Sequence, residues 1–157
     1  MPKYFLDTSA LVKLYRTEVG SDFVDRIFSD TGSRHVISRL TTVEVESVFA
    51  LKVRTAEIDQ QAALIARRRL EADMSRSRLL VAALNDDHLR SARQLLIKHG
   101  ATDALRTLDA LQLSIALGLK GAGLVTVFVA ADQKLCRVAA LEGFAVVNPE
   151  QPASIVV

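Results

Sequence analysis

Apolar residues recur along this chain with two alternating periods, short blocks suited to strands and longer stretches spaced three and four apart. Residues 3–7 (KYFLD) form an apolar run that ends in Asp7-Thr8-Ser9, residue types that cap helices, and ALVKLYR continues at helical spacing. This predicts strand, turn, helix. A second helix follows over 20–30, with Phe23, Val24, Ile27 and Phe28 on one stripe and Thr31-Gly32 as its stop. Residues 34–38 (RHVIS) predict a strand, after which Thr41 and Thr42 open a long helix through VEVESVFALKVR. Residues 58–73 predict another helix, forming with its predecessor an antiparallel pair over a short connection. Residues 77–84 suit a strand, although Leu and Ala favour helix as well. Residues 86–99 predict a helix stopped by Gly100. Residues 105–119 predict one that is apolar around most of its circumference, closed by Gly118, Gly121 and Gly123, and therefore interior. The end repeats the opening: LVTVFVA, Asp132, a helix carrying Leu135, Val138, Ala139 and Leu141 up to Gly143, then FAVVN.

Strands separated by helices imply an α/β fold with a mainly parallel sheet and helices on both faces, because parallel neighbours need crossover connections. With no Pro/Gly/Ser-rich divider, residues 1–157 read as a single domain. A chain of this length can bury roughly 70% of its unfolded surface and needs no staple. The lone Cys136 cannot form an internal disulfide and reads as a small buried hydrophobe. The absence of a signal segment or membrane-length apolar run points to the cytoplasm and no membrane association. A net charge of +2 is too small to identify a nucleic-acid partner. Half the residues are apolar, at a mean hydropathy of +0.22, which makes a buried partner surface plausible.

Ligands of an open parallel sheet gather beyond the carboxyl ends of its strands, where the following helices also begin. That rule selects four acids. Asp7 ends the first strand and Asp132 follows the VTVFVA strand, while Glu44 and Asp109 come about one turn inside their helices. Asp7 or Asp132 alone would read as an N-cap and Glu44 alone as a solvated residue, with Glu46 on another side of the same helix. Asp109 interrupts LRTLDALQLSIAL, where an uncompensated carboxylate is costly. Four carboxylates at one rim, about 5 Å apart, would repel by about 3 kcal/mol per pair at an effective dielectric of 20. Such a cluster calls for a cation, and an all-carboxylate donor set suits Mg²⁺ or Mn²⁺.

Other chemistries lack their residues. His35, His88 and His99 lie in different predicted elements without metal-ligand spacing. Cys136 has no evident His or Asn companion, and no G-x-S-x-G, Walker or G-x-G-x-x-G motif occurs in its required context. A haloacid-dehalogenase-like phosphatase would need a second Asp two positions after the first, where Ser9 stands.

FLDTSALVKLY, ISRLTTVEV, LRTLDALQLSIAL, FVAADQKL and GFAVVNP, in this order and spacing, resemble the PIN-domain family and most closely its VapC-type toxin branch. The resemblance spans nearly the whole chain. It implies a Rossmann-like αβα sandwich with a mainly parallel sheet of four to five strands, one or two Mg²⁺ or Mn²⁺ ions, and endoribonuclease activity on RNA. It places the acidic set on Asp7, Glu44, Asp109 and Asp132 and the neighbouring hydroxyl on Thr8 or Ser9. Many relatives carry Thr or Ser two positions before the last acid, and Ala130 stands there. Toxin relatives usually form homodimers and pair with a small antitoxin, which would suit the apolar composition.

By that reading the acids hold metal that lowers the pKa of a bound water for in-line attack on a phosphodiester. Arg67, Arg68, Arg69, Arg76 and Arg78 form the densest basic segment and are candidates for RNA phosphates, though solvated helix faces are often basic. A catalytically silent PIN-fold RNA-binding or scaffold module, or a related metal-dependent DNA nuclease, remains the alternative.

Overall fold

The computed structural model describes residues 1–152. Along these residues run β1 (Lys3–Leu6), α1 (Thr8–Leu11) continued by a 3-10 turn (Val12–Leu14), α2 (Ser21–Ser29), β2 (Arg34–Ser38), α3 (Arg39–Arg54), α4 (Gln60–Ser75) and β3 (Leu80–Ala82). They continue with α5 (Asp86–Asp103), α6 (Thr107–Gly121), β4 (Val127–Val129), α7 (Gln133–Leu141) and β5 (Ala145–Val147). The five strands form one sheet in the order β3-β2-β1-β4-β5, and every pairing is parallel. The predicted βα alternation is therefore met with five strands, and 77–84 does contain one.

Alternation along the strands builds two apolar layers. Phe5, Val36, Phe128 and Val146 belong to a core shared with Leu95, Leu113, Ile115, Leu135 and Val138, from α5, α6 and α7. Their neighbours Leu6, Ile37 and Val129 belong to a second core with Leu11, Val24, Val45, Phe49, Ala66 and Leu70 from the first four helices. The result is the αβα sandwich. Phe5 stacks on Phe128 with ring centroids 5.5 Å apart, which locks the two central strands together just below their carboxyl ends.

The chain builds outward from β1 to β2 and β3, then crosses through α5 and α6 to lay β4 on the other side of β1. That reversal sets the switch point, the usual ligand position in such sheets, at the carboxyl ends of β1 and β4.

Several boundaries differ from the sequence pattern. The first helix is short and tightens into a 3-10 turn. Helix α3 starts at Arg39, because Ser38, not Thr41 or Thr42, is its cap and accepts the Thr41 N–H at 3.1 Å. Gly100 does not stop α5. The helix continues to Asp103, spanned by the pairing of buried His99 with Asp103 one turn on, and ends at Ala104 in the left-handed conformation. Helix α6 likewise runs through Gly118 to Gly121. Gly20, at φ +90°, caps α2 where a Cβ would come within 2.9 Å of the Pro149 carbonyl oxygen, so this approach requires glycine.

Candidate active site

Asp7 follows β1 directly, and its N–H still donates to the Val129 carbonyl of β4 at 2.9 Å, so the sheet itself sets where the carboxylate stands. The side chain is 6% exposed. Its Oδ2 accepts from the Ser9 hydroxyl at 2.7 Å and the Ser9 N–H at 3.2 Å. Ser9 Oγ in turn accepts the Ala131 N–H at 2.9 Å, which ties the start of α1 to the loop after β4. Burial raises the Asp7 pKa to about 6, Ser9 opposes the rise, and the charges of Glu44 and Asp109 add to it.

Glu44 reaches the same place from α3. Its Oε1 accepts from Thr8 Oγ1 at 2.9 Å and from Gln112 Nε2 at 2.5 Å. Gln112, fully buried on α6, also donates to Thr41 Oγ1 at 2.8 Å and accepts the Ser38 hydroxyl at 2.7 Å. The floor of the site is thus one hydrogen-bonded net joining the start of α1, the start of α3 and the middle of α6.

Asp109 lies in the first turn of α6, one helical turn before Gln112, and burial is the chief cause raising its pKa, with the Asp132 charge adding to it and Arg106 opposing. Asp132 caps α7, its Oδ1 accepting the Lys134 N–H at 2.9 Å and the Leu135 N–H at 3.1 Å. Arg106 Nε stands 3.3 Å from Asp109 Oδ2, and an Arg106 Nη stands 3.6 Å from Asp132 Oδ2. Beneath them the Cys136 thiol donates to the Ala130 carbonyl oxygen, and burial with the nearby Asp132 and Asp7 charges pushes its pKa up to about 12.

Each acid is held chiefly through one oxygen. Oδ2 of Asp7, Oε1 of Glu44 and Oδ2 of Asp109 take the hydrogen bonds, while Oδ1, Oε2 and Oδ1 have no protein donor among the described residues. No buried side-chain oxygen or nitrogen there lacks a partner, so these second oxygens reach solvent. Hard oxygen donors with one face open are a set that a small divalent cation fits. The imidazoles are engaged elsewhere: His35 with the Ile27 carbonyl, His88 with the Asn85 N–H, and His99 with Asp103 and Glu142.

The structure places Asp7 within electrostatic reach of Glu44 and Asp109, places Asp109 within reach of Asp132, and sets Thr8 and Ser9 on Glu44 and Asp7. It does not gather them into a finished cage: among the described residues no three acidic, imidazole or thiolate side chains stand close enough to hold an ion as they are. The close carboxylate cluster expected from the sequence is thus not preassembled among the described residues, and Arg106 lies between Asp109 and Asp132.

Sequence reasoning missed Gln112, Ser38, Thr41 and Arg106. A signal existed for two of them: Arg106 and Gln112 lie three residues either side of Asp109, hence on its helix face.

Of the basic segment, Arg67 makes a two-pronged pair with Glu46 at 2.7–3.0 Å. Arg69 donates to the Leu14 carbonyl and lies over Tyr15, and Arg78 pairs with Asp73 and lies 4.4 Å from the Phe28 ring centre. Arg68 and Arg76 are exposed.

A five-stranded parallel αβα sandwich with acids near the switch between β1 and β4 is a Rossmann-like α/β architecture. The PIN domain family profile matches residues 4–141, and the chain belongs to that family. No curated protein matches the chain. Solved structures share the fold at low identity. The VapC20 toxin of Mycobacterium tuberculosis, described as cleaving the sarcin-ricin loop, aligns with a TM-score of 0.64 at 18% identity over 90% of this chain and 95% of its own. FitAcB of Neisseria gonorrhoeae gives 0.61 at 18% over 93% and 97%. A chain of a toxin-antitoxin complex from Klebsiella pneumoniae gives 0.60 at 16% over 93% and 97%.

Proposed function

We propose that this chain, folded as one domain over residues 1–157, is a Mg²⁺- or Mn²⁺-dependent endoribonuclease and the toxin of a type II toxin-antitoxin pair. The observation that carries the reading is the one-oxygen anchoring of acids on a shared rim, which leaves the other oxygens open to a cation and to water. Asp7, Glu44, Asp109 and Asp132 would hold one or two ions. Bound there, the metal supplies a water of lowered pKa and offsets charge building on the phosphate. The chain's own part is positional: Ser9 orients Asp7, Thr8 and Gln112 orient Glu44, and the α7 N–H groups orient Asp132. Arg68 and Arg76 are the members of the basic segment best placed to meet RNA phosphates, since Arg67, Arg69 and Arg78 already have partners within the fold.

Structural neighbours that include toxin-antitoxin assemblies from Klebsiella pneumoniae and Salmonella typhimurium support a small antitoxin as partner. Exposed Val43 and Leu51 on α3 and Ile65 on α4 support a further copy or an antitoxin covering that helix pair. No helix among the described residues is long and apolar enough to cross a membrane, which is compatible with a cytoplasmic setting.

The test is cleavage of single-stranded RNA in Mn²⁺. Activity abolished by EDTA, restored by Mn²⁺ and lost in Asp7→Asn is the expected result. Wild-type cleavage by Asp7→Asn, or cleavage indifferent to EDTA, overturns the assignment, and equal cutting of a matched DNA strand would move it to a DNA nuclease.

A further inference from the structure

Arg106 is the N-cap residue of α6, yet its side chain makes no capping bond. It extends over the rim instead, three-quarters exposed, with one nitrogen 3.3 Å from Asp109 and another 3.6 Å from Asp132. Guanidinium groups that bind carboxylates firmly do so as a two-pronged fork on one partner. Here the fork is split between two acids at long range, in contrast to the two-pronged pair of Arg67 with Glu46. The split contact balances charge without fixing the arginine, and in solvent it is weak.

Beside it lies a cavity of about 380 Å³ whose lining includes Arg106, Asp109, Asp132, Gln133 and Lys134. Two cationic side chains and two carboxylates on one opening have an ambivalent charge. The acids repel a phosphodiester while their charge is uncompensated, and the cations attract it once the acids have another counter-charge.

We propose that Arg106 is an exchangeable counter-charge: it holds Asp109 and Asp132 when no divalent cation is bound, and turns to a backbone phosphate of the RNA when one is. The inference rests on the nuclease reading and adds a substrate-binding residue to it. A doubly charged ion on the acids displaces the guanidinium by like-charge repulsion and, at Asp132, by competition for Oδ2, since Oδ1 there is taken by the α7 N–H groups. The freed group then stands at the mouth of the cavity, where planar donors suit a phosphate's oxygens. Lys134 lines the same opening and supplies a second contact.

The test uses the full chain with Arg106→Ala and Arg106→Lys, each checked for an unchanged melting temperature, which an exposed side chain without a capping role predicts. Mn²⁺ binding is measured by calorimetry without RNA. Binding of a single-stranded oligoribonucleotide is measured by anisotropy in Ca²⁺, with the RNA verified intact.

For Arg106→Ala, Mn²⁺ should bind about three- to fivefold more tightly, as expected on losing a competing exposed ion pair. RNA should bind about tenfold more weakly, with a salt dependence shallower by about one counter-ion. Arg106→Lys should fall between Ala and wild type on both measures. Unchanged or weaker Mn²⁺ binding in Arg106→Ala removes the competition and overturns the proposal, as does unchanged RNA binding. A wild-type protein that binds no Mn²⁺ at millimolar concentration overturns the nuclease reading itself, a result distinct from a variant that matches wild type.

Discussion

Gln112 Nε2 lies 2.5 Å from Glu44 Oε1, a contact between residues 68 positions apart that couples the centre of α6 to the first turns of α3. The amide is saturated, since its nitrogen also serves Thr41 and its oxygen accepts from Ser38. Such a group holds a carboxylate in place without neutralising it, which a lysine at the same position could not do.

Replacing Gln112 by Leu keeps the volume and strands Ser38, Thr41 and Glu44 without their shared partner. The expected cost is about 2–4 kcal/mol, from buried polar groups left unpaired. Chemical denaturation checks it. Cleavage should fall by more than the loss of folded protein accounts for, because Glu44 loses an anchor; a purely structural role would leave the specific activity of the folded fraction unchanged.

Asp7 gives a stability prediction of opposite sign. Its folded pKa, raised to about 6 mainly by burial, lies above the ordinary carboxylate value near 4. The metal-free fold therefore bears no penalty below about pH 4, where both states are protonated. The penalty grows as pH rises and is complete above pH 6. Asp7→Asn should thus be more stable than wild type at pH 7 by about 2–3 kcal/mol. In melting temperature that is a rise of roughly 5–10 °C for a domain of this size. The gap should close toward pH 4. Melting curves at both pH values in EDTA decide it, and equal stability at pH 7 would contradict the burial argument.

His99 predicts a second pH dependence. It is buried with Nε2 2.6 Å from Glu142 and Nδ1 2.9 Å from Asp103, and the Glu142 hydrogen bond leads the causes that raise its pKa against the effect of burial. A raised folded value means that the imidazolium stabilises fully below about pH 6.5 and ceases to do so as pH climbs through the folded value. The stability difference between wild type and His99→Gln should therefore shrink from pH 6 to pH 9. A difference flat across that range would show that the ring is held neutral.

Much of this was readable in the linear chain because strand and helix periods are local. The alternation of Phe5 with Leu6 and of Phe128 with Val129 already divides the sequence between two layers, and the parallel-sheet rule carries Asp7 and Asp132 to one edge. What escaped was set by partners distant in sequence. Gly100 punctuates a helix only if nothing packs beyond it, and the clasp on His99 lies there. Arg67 and Arg78 look like a free basic strip until Glu46 and Asp73 come into reach. The contacts of Arg106 with Asp109 and Asp132 likewise depend on how the loops after α5 and β4 meet, which periodicity does not encode.

The crossing from β3 over to β4 has a consequence for how the molecule is made. A growing polypeptide that has reached only α5 contains β1, β2 and β3 but lacks Asp109, Gln112 and Asp132. All four acids are therefore present only once Asp132 has been synthesised, and on the proposed reading a product released before that stage would not cleave RNA.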